Sequence, residues 1–374
     1  MAHGRVATPA FLPLATKGSV RGLSSAEVAG LGYEMVLGNT FHLHLNPGEE
    51  LIAARGGLHR FMGWERAIIT DSGGFQVFSL AHGGVADEIK GRRGSAAGGA
   101  RVEISEKGVA FRSLLDGSNR FLGPEESMRI QAALNSDIAL TFDECTPFHA
   151  DRDYTARSTE RTHRWLERCL VWQAQEGPPT QAVFGIVQGG IYEDLRRDSA
   201  ERTSEAPIDG IAIGGTLGRE KAEMHGVLGF TAPLLPPDAP RHLLGIGEID
   251  DVVAGIGMGI DLFDCAVPTR LARHGTALAP DARGRFRIDL TKAAHANDDA
   301  PIVDGCPCEA CSRHSRAYLH YLARNKDLTG TRLLTLHNLS YMERILSGAR
   351  QAISGGHLRD YSDALLGGAT PWIA

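Results

Sequence analysis

Eight short runs rich in Val, Ile, Leu and Ala recur along the 374-residue chain, and helical patterns separate most of them. The runs are continuously apolar, which is typical of parallel strands that are covered on both faces. Strands that alternate with helices predict an α/β fold, and the chain is long enough for a (β/α)8 TIM barrel with insertions. The predicted strands span residues 7–15, 34–40, 67–74, 137–144, 182–190, 210–215, 242–247 and 261–268.

Two segments interrupt this alternation within what we treat as a single barrel domain, residues 1–374. Residues 81–108 are rich in Gly and Ala with scattered charges, which predicts a long loop or an inserted ribbon above the barrel. Residues 292–350 contain a cluster of cysteines, which predicts an inserted zinc-binding subdomain near the C-terminus, after the eighth strand.

The overall charge does not indicate a nucleic-acid partner. The formal net charge is −6 and the isoelectric point is about 6.2, whereas nucleic-acid-binding domains are often strongly basic. RNA binding would therefore depend on local basic segments, and residues 161–168 and 270–275 are candidates. For residues 161–168, a solvated helix face is the more ordinary interpretation.

The sequence predicts a cytoplasmic protein without membrane association. No apolar run approaches the ~20 residues that span a bilayer. The first residues, MAHGRVATPAFL, lack the charged and then apolar pattern of a secretory signal. Cytoplasmic chains rarely carry structural disulfides, so a tight cysteine cluster in such a chain indicates a metal site.

Three cysteines and one histidine have the spacing of a structural zinc site. Cys306, Cys308 and Cys311 form a C-x-C-x₂-C motif, and His337 follows 26 residues after Cys311. Four such ligands leave no open coordination position, which predicts a structural ion. His314 and His320 are nearer in sequence, but residues 312–325 resemble a helix between the ligands, which favours His337.

Polar residues stand where several of the predicted strands end. In barrels of this kind the chemistry gathers at the C-terminal ends of the strands. Asp264 interrupts the apolar stretch LFDCAVPTR, and a position at the barrel mouth explains a carboxylate that would be costly to bury unpaired. The other candidates at strand ends are Asp71 with Ser72, Asp143, Gln188 and Gly215.

Three carboxylates around one mouth can supply a nucleophile and a general acid/base. A single Asp after a strand more often caps a helix, so it is the combination that indicates a site. Glycine pairs at 73–74, 189–190 and 214–215 would let backbone groups approach a flat ligand closely.

His42 and His44 suggest an alternative, a metal-dependent barrel hydrolase, because an H-x-H pair at a strand end can begin a catalytic metal site. That site would need further histidines at later strand ends. The predicted strands four to eight have none at their C-terminal ends.

Several long motifs resemble those of the bacterial tRNA-guanine transglycosylases, also called queuine tRNA-ribosyltransferases. They occur in the family's order and cover nearly the whole chain. The motifs are GNTFHLHLNPG (38–48), DSGGFQVFSL (71–80), FDECTPF (142–148), GIVQGG (185–190), GIDLFDCAVPTRLARHG (259–275) and CPCEAC (306–311) with His337.

The resemblance implies a TIM barrel with a zinc subdomain, one structural Zn²⁺ per chain, and a homodimer. It implies exchange of the wobble guanine of the Asn, Asp, His and Tyr tRNAs, which have GUN anticodons, for a 7-deazaguanine. In bacteria the incoming base is usually preQ1, and guanine is the leaving group. A covalent Asp–ribose intermediate holds the sugar during the exchange.

The resemblance also assigns roles to individual residues. Asp264 matches the nucleophile that attacks ribose C1′, Asp71 matches the general acid/base, and Asn39 would support Asp264. The positions that match the base pocket are Ser72, Phe75 (which stacks on the base), Asp143, Gln188, Gly215, Leu244 and Gly245. The positions that match anticodon contacts are Asp251, Arg270 and Arg273.

The chain departs from the family pattern at some positions. Members usually carry further residues ahead of HGRVATPAF, and Glu248 replaces an RNA-facing Lys of some relatives. Gly218 falls where many bacterial enzymes have Val and queuine-using eukaryotic enzymes have Gly, so queuine is an alternative incoming base. A second alternative is a non-catalytic tRNA-binding subunit, which would be expected to lack the nucleophile, whereas Asp264 and Asp71 are both present.

Overall fold

A parallel barrel forms the centre of the computed structural model, which describes residues 1–82, 102–113, 115–146, 150–215 and 220–372. Each barrel strand overlaps one of the eight predicted runs, so the predicted (β/α)8 fold is confirmed. The strands are, in chain order, Ala10–Leu12 with Leu14–Ala15, Met35–Gly38, Ala67–Thr70, Ile138–Leu140, Ala182–Val187, Gly210–Ile213, Arg241–Leu243 and Leu262–Asp264.

The first barrel strand is split at Pro13, and the two halves close the ring. Ala10–Leu12 pairs in parallel with the eighth strand, while Leu14–Ala15 pairs with the second. Proline has no N–H for a sheet ladder, which explains the break. The Pro13 carbonyl still accepts a hydrogen bond from the Leu37 N–H at 3.1 Å, so the first strand bridges its two neighbours.

Side chains alternate between the barrel interior and the helices outside. The interior is filled by Ala10, Leu12, Met35, Leu37, Ala67, Ile69, Ile138, Leu140, Phe184, Ile186, Ala212 and Leu262. The intervening residues pack outward against the helices. Because side chains alternate in this way, every second residue of a strand points inward, and the same alternation decides which residues point inward at the mouth of the barrel.

Helices surround the barrel and follow most of its strands. Ser24 caps the first helix with a capping box, since its Oγ accepts from the Glu27 N–H and the Glu27 carboxylate accepts from the Ser24 N–H. The helices that precede the C-terminal region are Ser25–Gly30, Thr40–Leu45, Glu49–Ala54, Gly57–Met62, Gly74–His82, Pro124–Leu134, Arg152–Glu176, Glu193–Glu205, Lys221–Thr231 with a 3₁₀ turn at Ala232–Leu234, and Ile249–Gly257.

An antiparallel sheet lies between the third and fourth barrel strands. Its strands are Glu103–Ile104, Val109–Arg112 and Asn119–Leu122. Residues 83–101 of the predicted 81–108 insertion lie outside the described residues. The sheet extends past residue 108, so the ribbon-like region continues beyond the boundary that the sequence indicated.

The basic segment 161–168 contacts this sheet through arginines that remain partly exposed to solvent. Arg164 forms a two-pronged ion pair with Glu106, with nitrogen–oxygen distances of 2.6 and 2.9 Å. Arg168 donates to the Glu106 carbonyl at 2.8 Å and pairs with Glu125. The segment is thus a partly exposed helix face, as expected, and its arginines also connect helix Arg152–Glu176 to the sheet.

The region after the barrel contains helix Val267–Arg273, a hairpin of Thr276–Leu278 and Arg287–Asp289, a 3₁₀ turn at Ala293–His295, and helices Glu309–Arg313, Arg316–Arg324, Leu328–Ser354 and Leu358–Leu366. The predicted helix at 312–325 is interrupted, because Ser315 caps a new helix. Asn338 in the long helix donates to the Pro268 carbonyl at 2.9 Å, which fixes the helix that follows the eighth strand. Among the described residues, no helix is long and apolar enough to cross a membrane.

Candidate active site

The alternation of the barrel strands brings polar residues of the predicted site to one mouth. Leu262 points into the barrel and Phe263 packs outward, so Asp264 points inward at the end of the eighth strand. The residues that likewise lie two positions beyond an interior side chain are Asn39, Asp71 and Gln188.

Asp71 follows the third barrel strand and is half-buried. Its Oδ1 accepts a hydrogen bond from the Thr40 N–H at 2.8 Å, and its Oδ2 accepts from the side-chain amides of Asn39 and Gln76. Burial raises the pKa of Asp71 to about 7; the charge of Asp264 adds to the rise and the Thr40 N–H opposes it. A carboxyl group with this pKa can give and take a proton near neutral pH.

Asn39 contacts Asp71, and the support of Asp264 that the resemblance implies stays a prediction. Asn39 ends the second strand, which neighbours the third strand that leads to Asp71. Its side-chain oxygen also accepts from the His42 N–H at 2.9 Å and caps helix Thr40–Leu45. Held at both ends, the Asn39 side chain orients the Asp71 carboxylate.

Asp264 is the last residue of the eighth strand, and its side chain is 11% exposed. Its Oδ1 accepts a hydrogen bond from the Gly245 N–H at 3.1 Å and lies 3.0 Å from His242 Nε2. In the part of the chain that the structure describes, Oδ2 receives no hydrogen bond. One oxygen of this carboxylate is thus held, while the other is available to a ligand in the mouth.

Asp143, Ser72 and Gln188 form one hydrogen-bonded unit. Asp143 Oδ1 accepts from Ser72 Oγ at 3.0 Å, and Oδ2 accepts from Gln188 Nε2 at 2.6 Å. Burial raises the pKa of Asp143 to about 6, although both hydrogen bonds lower it. The Gln188 N–H donates to Ser199 Oγ at 3.0 Å, so three strand ends contribute to one rigid polar surface.

Two glycines of this region are required because pocket residues approach them closely. At Gly215, where φ is +81°, a Cβ would lie 2.5 Å from Gln188 Oε1 and 3.3 Å from Arg196 Nη2. At Gly74, a Cβ would lie 2.7 Å from the Asp143 carbonyl oxygen. These two glycines therefore make room for polar residues of the pocket. The sequence analysis had expected the glycine pairs to make room for a flat ligand.

Three further predicted residues lie near the ends of these strands. Phe75 is 39% exposed in the first turn of helix Gly74–His82. Leu244, just beyond the seventh strand, packs on the apolar layer of the barrel interior. Gly245 adopts a φ of +75° and presents its N–H to Asp264.

The predicted RNA-contacting residues fall into two groups. Arg270 and Arg273 lie in the last turn of helix Val267–Arg273, and no described carboxylate pairs with either. Burial and the nearby guanidinium groups of Arg21 and Arg270 lower the pKa of Arg273, which indicates a cationic cluster. Asp251 is only 5% exposed and pairs with Lys221 and His225 at 3.1 and 2.9 Å.

Cys306, Cys308, Cys311 and His337 come together as the sequence predicted. The three sulfurs lie 3.7, 3.4 and 3.3 Å from His337 Nδ1. Tetrahedral Zn²⁺ with its usual bond lengths separates sulfur and nitrogen ligands by about 3.5 Å. His337 Nε2 donates to the Leu278 carbonyl at 2.7 Å, which turns Nδ1 toward the sulfurs. The four residues therefore fit one structural zinc ion.

The other candidate metal ligands do not join a metal-binding group in the described part of the chain. His44 Nδ1 lies 2.7 Å from a Glu49 oxygen, and the His42 side chain is on the same short helix. His314 stacks on Tyr318 and His320 faces the Leu290 carbonyl. The hydrolase alternative thus has no supporting cluster among these residues.

Comparison with known proteins shows to which family the chain is similar. A family model described as queuine tRNA-ribosyltransferase matches residues 1–368. The queuine tRNA-ribosyltransferase of Roseiflexus sp. (strain RS-1) is 50% identical over 371 residues, which cover 96% of this chain and 93% of that relative. Those of Symbiobacterium thermophilum and Pelotomaculum thermopropionicum are each 44% identical over 97% of this chain, and the matches cover 85% and 92% of the relatives.

The chain belongs to the queuine tRNA-ribosyltransferase family. It is therefore a tRNA-guanine transglycosylase, an enzyme of the pentosyltransferase class, as the motifs indicated.

The sequence analysis of this transglycosylase missed two buried side chains. His242 lies beneath Asp264. Because Leu243 packs outward, the alternation of side chains along the seventh strand predicts that His242 points into the barrel. Arg196 donates to the Gly190 and Val187 carbonyls at 2.9 and 3.1 Å and fixes the turn after Gln188. Nothing in the spacing of its helix distinguishes Arg196 from its exposed neighbours.

Proposed function

We propose that this chain exchanges the wobble guanine of the Asn, Asp, His and Tyr tRNAs for the 7-deazaguanine preQ1 through a covalent Asp264–ribose intermediate. The observation that carries the proposal is the pair of carboxylates at one mouth. Asp264 has an unpaired oxygen, and its charge helps to raise the pKa of Asp71 to about 7. Two unlike carboxyl groups are what a covalent glycosyl exchange needs.

In the first half of the reaction, Asp264 attacks ribose C1′ and the C1′–N9 bond of the wobble guanosine breaks. The departing guanine takes a proton from the Asp71 carboxyl group. The ribose remains attached to the enzyme as an ester, so the RNA backbone stays intact and water does not produce an abasic site.

In the second half, the incoming base gives its N9 proton to the Asp71 carboxylate as N9 bonds to C1′. The Asp264–C1′ bond breaks and the carboxylate is restored. Asp71 regains the proton that it gave to guanine, so one turnover leaves both residues unchanged. A pKa near neutral suits a residue that acts first as an acid and then as a base.

The unit of Asp143, Gln188 and Ser72 is the proposed recognition surface for the purine edge. Its donors and acceptors are fixed before a ligand arrives, which reduces the entropy that binding must overcome. The Gly215 backbone contributes to recognition, Leu244 and Gly245 line the floor, and Phe75 supplies an exposed ring for stacking.

The target nucleotide must leave its stack to reach this mouth. Arg270 and Arg273 lie one short helix beyond Asp264 and have no described acidic partner, which supports a role in gripping GUN-anticodon phosphates or base edges. Asp251 remains a proposed RNA contact, although its oxygens already contact Lys221 and the His225 ring. We also propose a homodimer.

Replacing the nucleophile tests the proposal directly. In the variant D264N, incorporation of labelled guanine into a cognate tRNA should fall by at least about 10³-fold. Binding of tRNA should persist, and mass spectrometry should find the wild-type RNA adduct on the peptide that contains Asp264. The control D238N makes the same change at an exposed position before the seventh strand, at the opposite end of the barrel.

Exchange that survives in D264N would remove Asp264 from this role. A wild-type chain that binds tRNA without exchanging guanine would instead favour the non-catalytic subunit. Competition between guanine, preQ1 and queuine on one purified tRNA separates the alternative incoming bases. Gly218, which bears on that choice, lies outside the described residues.

A further inference from the structure

His242 places an imidazole inside an otherwise apolar barrel, directly below the nucleophile. Its side chain has no solvent exposure, and His242 is paired in register with Leu262, two residues before Asp264. Burying a polar ring in such a layer is unfavourable unless it is hydrogen-bonded. A purely structural layer would be more stable with an apolar residue at this position.

We propose that His242 is a positioning residue that, together with the Gly245 N–H, holds one oxygen of Asp264 so that the other faces the ribose. The proposal rests on the base-exchange function argued above and concerns how its nucleophile is oriented.

The hydrogen bonds define which nitrogen carries the proton. His242 Nε2 lies 3.0 Å from Asp264 Oδ1, while Nδ1 is buried and has no partner among the described residues. A carboxylate oxygen can only accept, and a proton on Nδ1 would have no acceptor, so Nε2 carries the proton of this contact. His242 then acts as a fixed donor to Asp264 Oδ1.

Two donors on Oδ1 make the two oxygens of Asp264 unequal. The Gly245 N–H donates to the same oxygen at 3.1 Å. Gly245 has a φ of +75°, a backbone conformation that glycine adopts readily and other residues rarely do. Oδ2 is left as the attacking oxygen. The carboxylate therefore needs little reorientation before it bonds to C1′, which lowers the entropy loss of the attack.

The same contacts assist the second half of the exchange. Once Oδ2 is bonded to C1′, Oδ1 is the carbonyl oxygen of the ester. When the incoming base attacks, the C1′–Oδ2 electron pair returns to the carboxylate and negative charge spreads onto Oδ1. Donors already aimed at Oδ1 stabilise that charge without reorganisation.

The variants H242F and H242Q separate positioning from packing. Phe keeps a ring but removes the donor, whereas Gln retains a side-chain N–H. In H242F, the single-turnover rate of adduct formation should fall about 10- to 100-fold, with KM for guanine and Kd for tRNA changed less than about two-fold. H242Q should recover most of the rate, and the thermal midpoint of H242F should equal or exceed that of the wild type.

An H242F variant that forms the adduct at the wild-type rate would overturn the proposal, as would an H242Q variant no faster than H242F. If neither variant folds, ¹⁵N spectra of histidine-labelled wild-type protein decide the question. The Nε2-protonated form should be seen for His242 and should change in D264A, whereas an Nδ1-protonated ring would refute the assignment.

Failure of the wild type to exchange guanine would contradict the proposed function, while the ¹⁵N result would still report whether His242 donates to Asp264. The two failures are therefore distinguishable.

Discussion

Two carboxylates at opposite ends of the barrel, the half-buried Asp71 and the buried Asp137, differ in acid strength. Asp71, at the C-terminal ends of the strands, has a pKa raised to about 7, whereas the pKa of Asp137, just before the fourth strand, is lowered well below its usual range. Burial alone would raise both, so the neighbouring groups decide the difference.

The donors around each carboxylate explain the contrast. Asp137 accepts from the Ile68 N–H at 2.9 Å and contacts the rings of His59 and His3 at 3.1 and 3.0 Å. Asp71 has neutral donors and faces the charge of Asp264. At the bottom, the ionised form is fully satisfied and stabilises the fold. At the mouth, burial and the facing charge of Asp264 outweigh the donors, which leaves the group ready to exchange a proton.

Among the variants that test the contrast between Asp71 and Asp137, D71N should have the largest effect. We expect guanine exchange to fall about 10³-fold, because the variant can neither protonate guanine nor deprotonate the new base. Single-turnover assays at saturating tRNA would measure this loss. Exchange within ten-fold of wild type would show that another group moves the proton.

D71N should also change the pH dependence of stability. The folded pKa lies above the ordinary value of 3.8, so the stability that protonation contributes is present below that value and disappears as pH rises through about 7. D71N should thus match the wild type near pH 4 and be more stable at pH 8, by at most about 4 kcal/mol.

D137N makes the same substitution at the other end and should have the opposite result. It leaves buried donors unpaired and should lower the free energy of unfolding by about 3 kcal/mol at pH 7. Because the folded pKa of Asp137 is lowered, this stability is present above pH 3.8 and fades as pH falls. Exchange per folded molecule should stay within about two-fold of wild type.

Denaturant titrations of D71N and D137N side by side would measure the contrast, each variant serving as the control for the other. Equal stability losses in the two variants at pH 8 would mean that the ends of the barrel do not differ in the way described.

A smaller effect is expected at Asp71 in the variant D264N. Removing the facing negative charge should lower the pKa of Asp71 from its value of about 7, since that charge favours the protonated form. Carboxyl ¹³C titration would follow the change, with D238N as the control. If the pKa of Asp71 is unchanged in D264N, the charge of Asp264 does not contribute to it.

The smallest effect is expected from H3A. The His3 side chain is 34% exposed and stacks on His59 with ring centroids 3.6 Å apart. Its loss should lower stability by about 1 kcal/mol, because Asp137 keeps its contacts with His59 and Ile68. In a D137N background the loss of stability caused by H3A should be smaller, and a double-mutant cycle would measure this coupling. If the two losses are additive, His3 does not stabilise the fold through Asp137.

Much of this fold was readable from sequence, because strands buried on both faces must be apolar and their ends must carry the polar residues. The zinc ligands were predictable for a similar reason, since thiolate spacing reflects coordination geometry. The contact between Asn39 and Asp71 was not foreseen, although the second strand lies beside the third and brings the two residues together.

Contacts between distant segments were beyond such reasoning. Glu106 lies 58 residues from Arg164, and nothing in either segment specifies the other. The opposite pKa values of Asp71 and Asp137 also depend on which donors the fold assembles, and a residue type alone does not encode that environment.

The split first strand has a consequence for how the enzyme is made. Its leading half, Ala10–Leu12, pairs with the strand that ends in Asp264, so the ring closes only after the ribosome has delivered nearly three-quarters of the chain. A nascent chain shorter than this can contain Asp71, but it lacks Asp264 and the strand that positions it. The two carboxylates of the mouth can therefore come together only late in synthesis.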